Sequence, residues 1–145
     1  MSLNVLEIAR KDLVVCKPSD DLLSVANLML SRNVGSVLVE SGHDVVGIVT
    51  KNDLLRAHIS RRSWKETPAN VVMSHPVATC NDDDTIDEAL HKFQNTHYSR
   101  LAVKDKTGKI VAVVKRKIVE RFLRVYVAHD IVRRRMNTNI SPRLP

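Results

Sequence analysis

Laid on itself at a shift of 64 residues, the chain repeats its apolar pattern along most of the first half. Ile8 falls on Val72, 13 to 16 on 77 to 80, and Leu22, Val25 and Met29 on Ile86, Ala89 and Phe93. Residues 37 to 39 fall on 101 to 103, Val46 and Val49 on Ile110 and Val113, and Leu54 and Leu55 on Ile118 and Val119. A fixed internal period means one supersecondary unit written twice. A unit this short cannot bury both faces of its own sheet, so the copies must pack together, about a pseudo-twofold axis and with clefts between them.

Within each copy the period changes in a readable order. The apolar run at 13 to 16 predicts a strand, and Leu22, Val25 and Met29 recur at helical spacing. Asp21 and Thr85 precede the two helices as caps, and "TIDE" at 85 to 88 has the form of a capping box. Strands at 36 to 40 and 45 to 49 follow, joined by the turn "SGHD", and a second helix begins after Thr50. The fold class is therefore α+β, a β-α-β-β-α unit repeated, with a small three-stranded sheet and flanking helices in each half. The repeats are expected at 5–62 and 68–123, an extension of the last helix at 124–136 and a flexible tail at 137–145.

No run approaches the length of a membrane span, and the first residues lack the apolar centre of a secretory signal. Two distant cysteines, Cys16 and Cys80, form neither a disulfide framework nor a zinc pattern. A soluble, cytoplasmic protein is expected. The net charge of +7 favours an anionic partner. Cations crowd the last third, yet aromatic residues are only 3% of the chain, which leaves few platforms for stacking single-stranded nucleic acid.

Three local motifs add a resemblance to the repeat. "VVMSHPV" is similar to the start of a repeat in the cystathionine beta-synthase (CBS) domain pair, or Bateman module; "YSRLAVKD" resembles that family's second strand. "GIVTKNDLL" follows its pattern of glycine, apolar residues, threonine or serine, then aspartate three residues on. The resemblance implies a regulatory protein, not an enzyme, that binds an adenine nucleotide (AMP, ADP or ATP, with S-adenosylmethionine as a further candidate) between the repeats. It implies that Asp53 holds the ribose hydroxyls, that Thr50 and Asn52 at the helix start approach the phosphate, and that Arg100 clamps it from the other copy. Asp12, Leu13, Val14, Ser36 and Leu38 match positions that line an adenine pocket. It also implies a homodimer, with output expected through assembly or an unidentified regulated protein.

The residue types suit this chemistry. An ionised carboxylate accepts from two vicinal hydroxyls at once, unpaired N–H groups at a helix start favour phosphate, and a guanidinium binds it in a bidentate way. Thr50 and Asp53 are equally a capping box that simply starts a helix; both readings stand on sequence. In the second copy these positions meet Val114 and Lys117, or Lys115 and Ile118 if the alignment slides by one, so the carboxylate is missing there and one good site per chain is expected. Lys115, Arg116 and Lys117 at a helix start are either a solvated basic surface or, in the sharper reading, all three receive phosphate from this site or its neighbour.

Other residues carry less. "DDD" at 82 to 84 is explained by a helix start rather than a metal, His43 and His75 have no partner at telling spacing, and no catalytic constellation appears. Trp64 either covers a groove or joins an interface. Two rival functions remain: nucleic-acid binding through the basic C-terminal region, and a dimerisation module without a ligand.

Overall fold

Each half builds a three-stranded sheet in which the central strand pairs in parallel with a short first strand and antiparallel with the third. The computed structural model describes residues 3–140. In order, the elements are α1 (Val5–Ile8), β1 (Val15–Cys16), α2 (Leu22–Arg32), β2 (Ser36–Ser41), β3 (Asp44–Thr50) and α3 (Lys51–Ile59). The second half gives α4 (Ala69–Val72), β4 (Thr79–Asn81), α5 (Ile86–Gln94), β5 (Arg100–Lys104), β6 (Ile110–Lys115) and α6 (Arg116–Ile140). The doubled α+β unit read from sequence is present, with a four-residue helix added in front of each copy.

Local chemistry explains the elements. The Asp21 carboxylate accepts from Ser24 N–H at 2.8 Å and starts α2, whose Leu22, Val25 and Met29 are buried on one face. Asn33, left-handed at φ 52°, ends it. Thr85 caps α5 by accepting from Glu88 N–H, but the structure shows no return bond from Glu88, so "TIDE" is half of the expected box. The central strands β2 and β5 bury three successive residues each, as strands covered on both sides do.

The two cores, one per half, exchange their lead-in helices. Val5 of α1 is buried in the core of the second repeat, and Ala69 of α4 in that of the first. Val5 N–H donates to Asp84 O and Ala69 N–H to Asp20 O, both at 2.8 Å, and 64 residues separate each partner from its mate. Farther along, Arg10 pairs with Val113 as Ser74 pairs with Ile48. These matched pairs express the pseudo-twofold relation and clasp the halves together.

The linker after α3 closes over the first repeat. Leu22 and Leu23 N–H donate to Thr67 O and Trp64 O, and Trp64 packs on the first core with His58 edge-on at 6.2 Å. Within the chain Trp64 thus covers the first core. Residues 137–140, expected as the start of a tail, continue α6 as helix; 141–145 lie outside the described residues. No helix among the described residues is long and apolar enough to cross a membrane.

Candidate functional site

The strand register decides how the two helix starts correspond. Ser36 pairs with Thr50 across β2 and β3, and Arg100 with Lys115 across β5 and β6. Because Ser36 and Arg100 are mates at a shift of 64, Thr50 corresponds to Lys115 and Asp53 to Ile118; the turn between β5 and β6 holds one extra residue. Asn52 and Lys117 then occupy equivalent, exposed second positions of α3 and α6.

A cleft of about 290 Å³ opens between the repeats. The lead-in segment of the first repeat forms one wall and β2 with the turn before it another; the third is built from Arg100, Val113, Lys115 and Ile118 of the second repeat. Of the residues marked from sequence, Asp12, Leu13, Val14, Ser36, Leu38, Arg100 and Lys115 line this cleft, and Thr50, Asn52, Asp53 and Lys117 do not. The physical reason is the pseudo-twofold. The lead-in of each repeat faces the third strand of the other, so Leu13 and Val14 belong with Lys115 and Ile118, whereas Thr50 and Asp53 belong with the lead-in around Ser74. The sequence places in one site residues that the symmetry divides between two sides of the molecule. Ser36 and Arg100, which are mates, line the same cleft and so mark where the two meet.

The symmetry-related side, where Ile48 of β3 meets Ser74 of the second lead-in, is packed differently. Met73 there is the mate of Ala9, which lines the open cleft, and its side chain packs so closely on Gly47 that a Cβ at that glycine would collide with it. Asp53 is engaged at a complete capping box. Its Oδ2 accepts from Thr50 N–H at 2.8 Å and from Thr50 Oγ1 at 3.0 Å, its own N–H donates to Thr50 Oγ1 at 3.3 Å, and Arg56 donates to Oδ1 at 3.2 Å.

The open cleft gathers positive charge that Asp53, outside it, offsets only at Arg100. Its one acid, Asp12, is held by Arg32, whose Nη2 donates to both carboxylate oxygens at 2.9 and 3.0 Å. Burial, partly offset by Asp53, lowers the affinity of the Arg100 guanidinium for its proton; its Nε is buried without a hydrogen-bond partner. The same guanidinium lies against Gly35, where a Cβ would displace it. Lys115 is held below its ordinary pKa by burial first, then by repulsion from Arg100, Arg10, Lys51 and Lys117.

Arg10 went unmarked in the sequence, since a single arginine in a lead-in segment belongs to no motif; only its pairing with Val113 brings it to the cleft. Arg116, read with Lys115 and Lys117 as a solvated basic surface or as a receiver of phosphate, is instead half-buried and bonded to backbone. Its Nη2 donates to Phe93 O and, at 2.7 Å, to Thr96 O, and its guanidinium lies 5.3 Å from the Phe93 ring. It caps the end of α5. The Val14 carbonyl accepts from Leu38 N–H at 2.9 Å. Asp84 of the acidic run accepts from Asn81 N–H and from Lys92 at 2.7 Å, and among the described residues no three His, Cys, Asp or Glu side chains gather as metal ligands.

Comparison with known proteins gives one consistent result. The profile of the CBS domain matches twice, at residues 5–60 and 69–124. An uncharacterised protein of Methanopyrus kandleri is 30% identical over 115 residues, 78% of this chain; the chain spans 59% of that relative's length. A solved protein from Pyrococcus horikoshii is 26% identical with a TM-score of 0.76, covering 86% of this chain and 94% of its own. A CBS domain protein from Pyrobaculum aerophilum, solved with AMP, is 22% identical with a TM-score of 0.72, covering 80% of this chain and 89% of its own.

Proposed function

This chain belongs to the CBS domain family as a tandem pair, and we propose that it is a regulatory module binding an adenine nucleotide in the open cleft between its repeats. The observation that carries this is the convergence of Arg10, Arg100 and Lys115 from both repeats on a cavity whose one carboxylate is already paired. Like charges held together at a partly desolvated site cost stability, and a phosphate chain offsets that cost directly. The start of α6, next to Lys115 and Ile118, adds the positive end of a 25-residue helix. Leu13, Val14, Val34 and Leu38 supply the apolar wall on which an adenine packs.

Two solved proteins of this fold support the ligand class: that from P. aerophilum with AMP, and the CBS pair of an MJ0100 protein with 5-methylthioadenosine and S-adenosyl-L-methionine. The charge of the present cleft favours nucleotides over the cationic sulfonium of S-adenosylmethionine. Binding acts by shifting an assembly between states that differ in affinity for the ligand. Leu30, Leu55 and Ile59, exposed on α2 and α3, offer a surface for a second copy.

A thermal-shift panel of AMP, ADP, ATP and S-adenosylmethionine on wild type and Arg10→Ala tests the reading. A nucleotide at a hundred times its dissociation constant adds about 2.7 kcal/mol to the folded state. A rise in melting temperature with nucleotides that Arg10→Ala diminishes is expected; no rise with any of them contradicts the proposal.

A further inference from the structure

Resting on the nucleotide reading above, we infer that the open cleft selects polyphosphate and is indifferent to the ribose, so that it takes nucleoside di- and triphosphates, 2′-deoxy forms included, in preference to monophosphates. The juxtaposition behind this is Arg10, Arg100 and Lys115 facing a cavity in which Ile118 holds the position that Asp53 occupies in the other half.

The phosphate side follows from charge. Three cations line the cleft and Lys51 approaches Gly35 at its edge, 3.7 Å from where a Cβ would stand. Asp12, exposed at the rim, is already ion-paired with Arg32, which weakens its pull on them. A monophosphate carries too little charge to engage cations drawn from the lead-in segment, β5 and β6 together, whereas a chain of two or three phosphates reaches all of them.

The ribose side follows from what is missing at one place in the register. An ionised carboxylate accepting from a hydroxyl confers discrimination of roughly tenfold or more against the analogue lacking it. The residue able to play that role at the equivalent position of the first repeat is Asp53, which does not line the open cleft and is engaged in its own helix cap and with Arg56. Ile118 accepts nothing, and Asp12 is drawn to Arg32 at the exposed rim.

Isothermal titration of the whole chain with ATP, dATP, AMP and inorganic tripolyphosphate tests this. ATP and dATP are expected to bind within about threefold of each other, and both at least about tenfold tighter than AMP, with tripolyphosphate competing for the same site. Lys115→Gln should weaken ATP severalfold, while Asp53→Asn, which keeps an oxygen for the helix cap, leaves it within about twofold. AMP binding as tightly as ATP, or dATP about tenfold weaker than ATP, overturns the inference while leaving nucleotide binding intact. Failure of every nucleotide to bind overturns the underlying reading as well.

Discussion

Arg100 and Lys115 stand directly opposite each other across β5 and β6, two cations in register where the equivalent pair in the first repeat is Ser36 and Thr50. Like charges so placed destabilise a sheet. The arrangement makes sense if something anionic lies against it.

Replacing Lys115 by threonine, the residue of the other half, should therefore separate stability from binding. Chemical denaturation without ligand is expected to show a gain of a few tenths of a kcal/mol to about 1 kcal/mol, while ATP affinity falls. A loss of stability would mean that the lysine has a compensating partner in the free protein.

Arg116 and Lys117 are neighbours in sequence and opposites in role. Arg116 ties off the carbonyls at the end of α5 and covers Phe93, whereas Lys117 is exposed. Arg116→Ala should cost on the order of 2 kcal/mol, the scale of charged hydrogen bonds, and Lys117→Ala should change denaturation midpoints by no more than about 0.5 kcal/mol.

Cys16 and Cys80 are buried, and burial raises each thiol to a pKa of about 11. The thiolate is the reactive form. At pH 8 a thiol reagent should label the folded chain slowly and the denatured chain at once, with the folded rate rising with denaturant. Immediate labelling of native protein would contradict the burial.

Asp84 joins the turn before α5 to Lys92. Burial by itself raises its pKa, but the hydrogen bonds from Lys92 and from Asn81 N–H outweigh that and hold it below 3.8. A carboxylate depressed in the folded state contributes stability above its unfolded pKa, and the contribution disappears as the pH falls through the folded value. Asp84→Asn should thus cost on the order of 2 kcal/mol at pH 7, with the gap to wild type closing below about pH 4. A gap independent of pH would remove the ion pair from the explanation.

The repeat, its strands and the helices were legible because burial imposes periods of two and of 3.6 on the residues that face a core. The clasp was not, since α1 and α4 have four residues each and the exchange of lead-in helices between cores leaves no local pattern. For the same reason the site came out half assembled. Strand-adjacent positions such as Leu13 and Leu38 could be marked one by one, but which helix start faces them depends on how the halves cross. The single-residue insertion before β6, which decides between Val114 and Lys115 as the equivalent of Thr50, shows only in the hydrogen-bonded register. Arg116 illustrates the same limit: three basic residues in a row read as one surface until the backbone turns one of them inward.

Hydrogen exchange of backbone amides with and without saturating ATP tests the location of the site most directly. Protection is expected around 8–14, 33–38 and 113–118, the three walls of the open cleft. Protection centred on 50–53 and 72–78, with those walls unchanged, would place the nucleotide beside Asp53 and contradict the assignment.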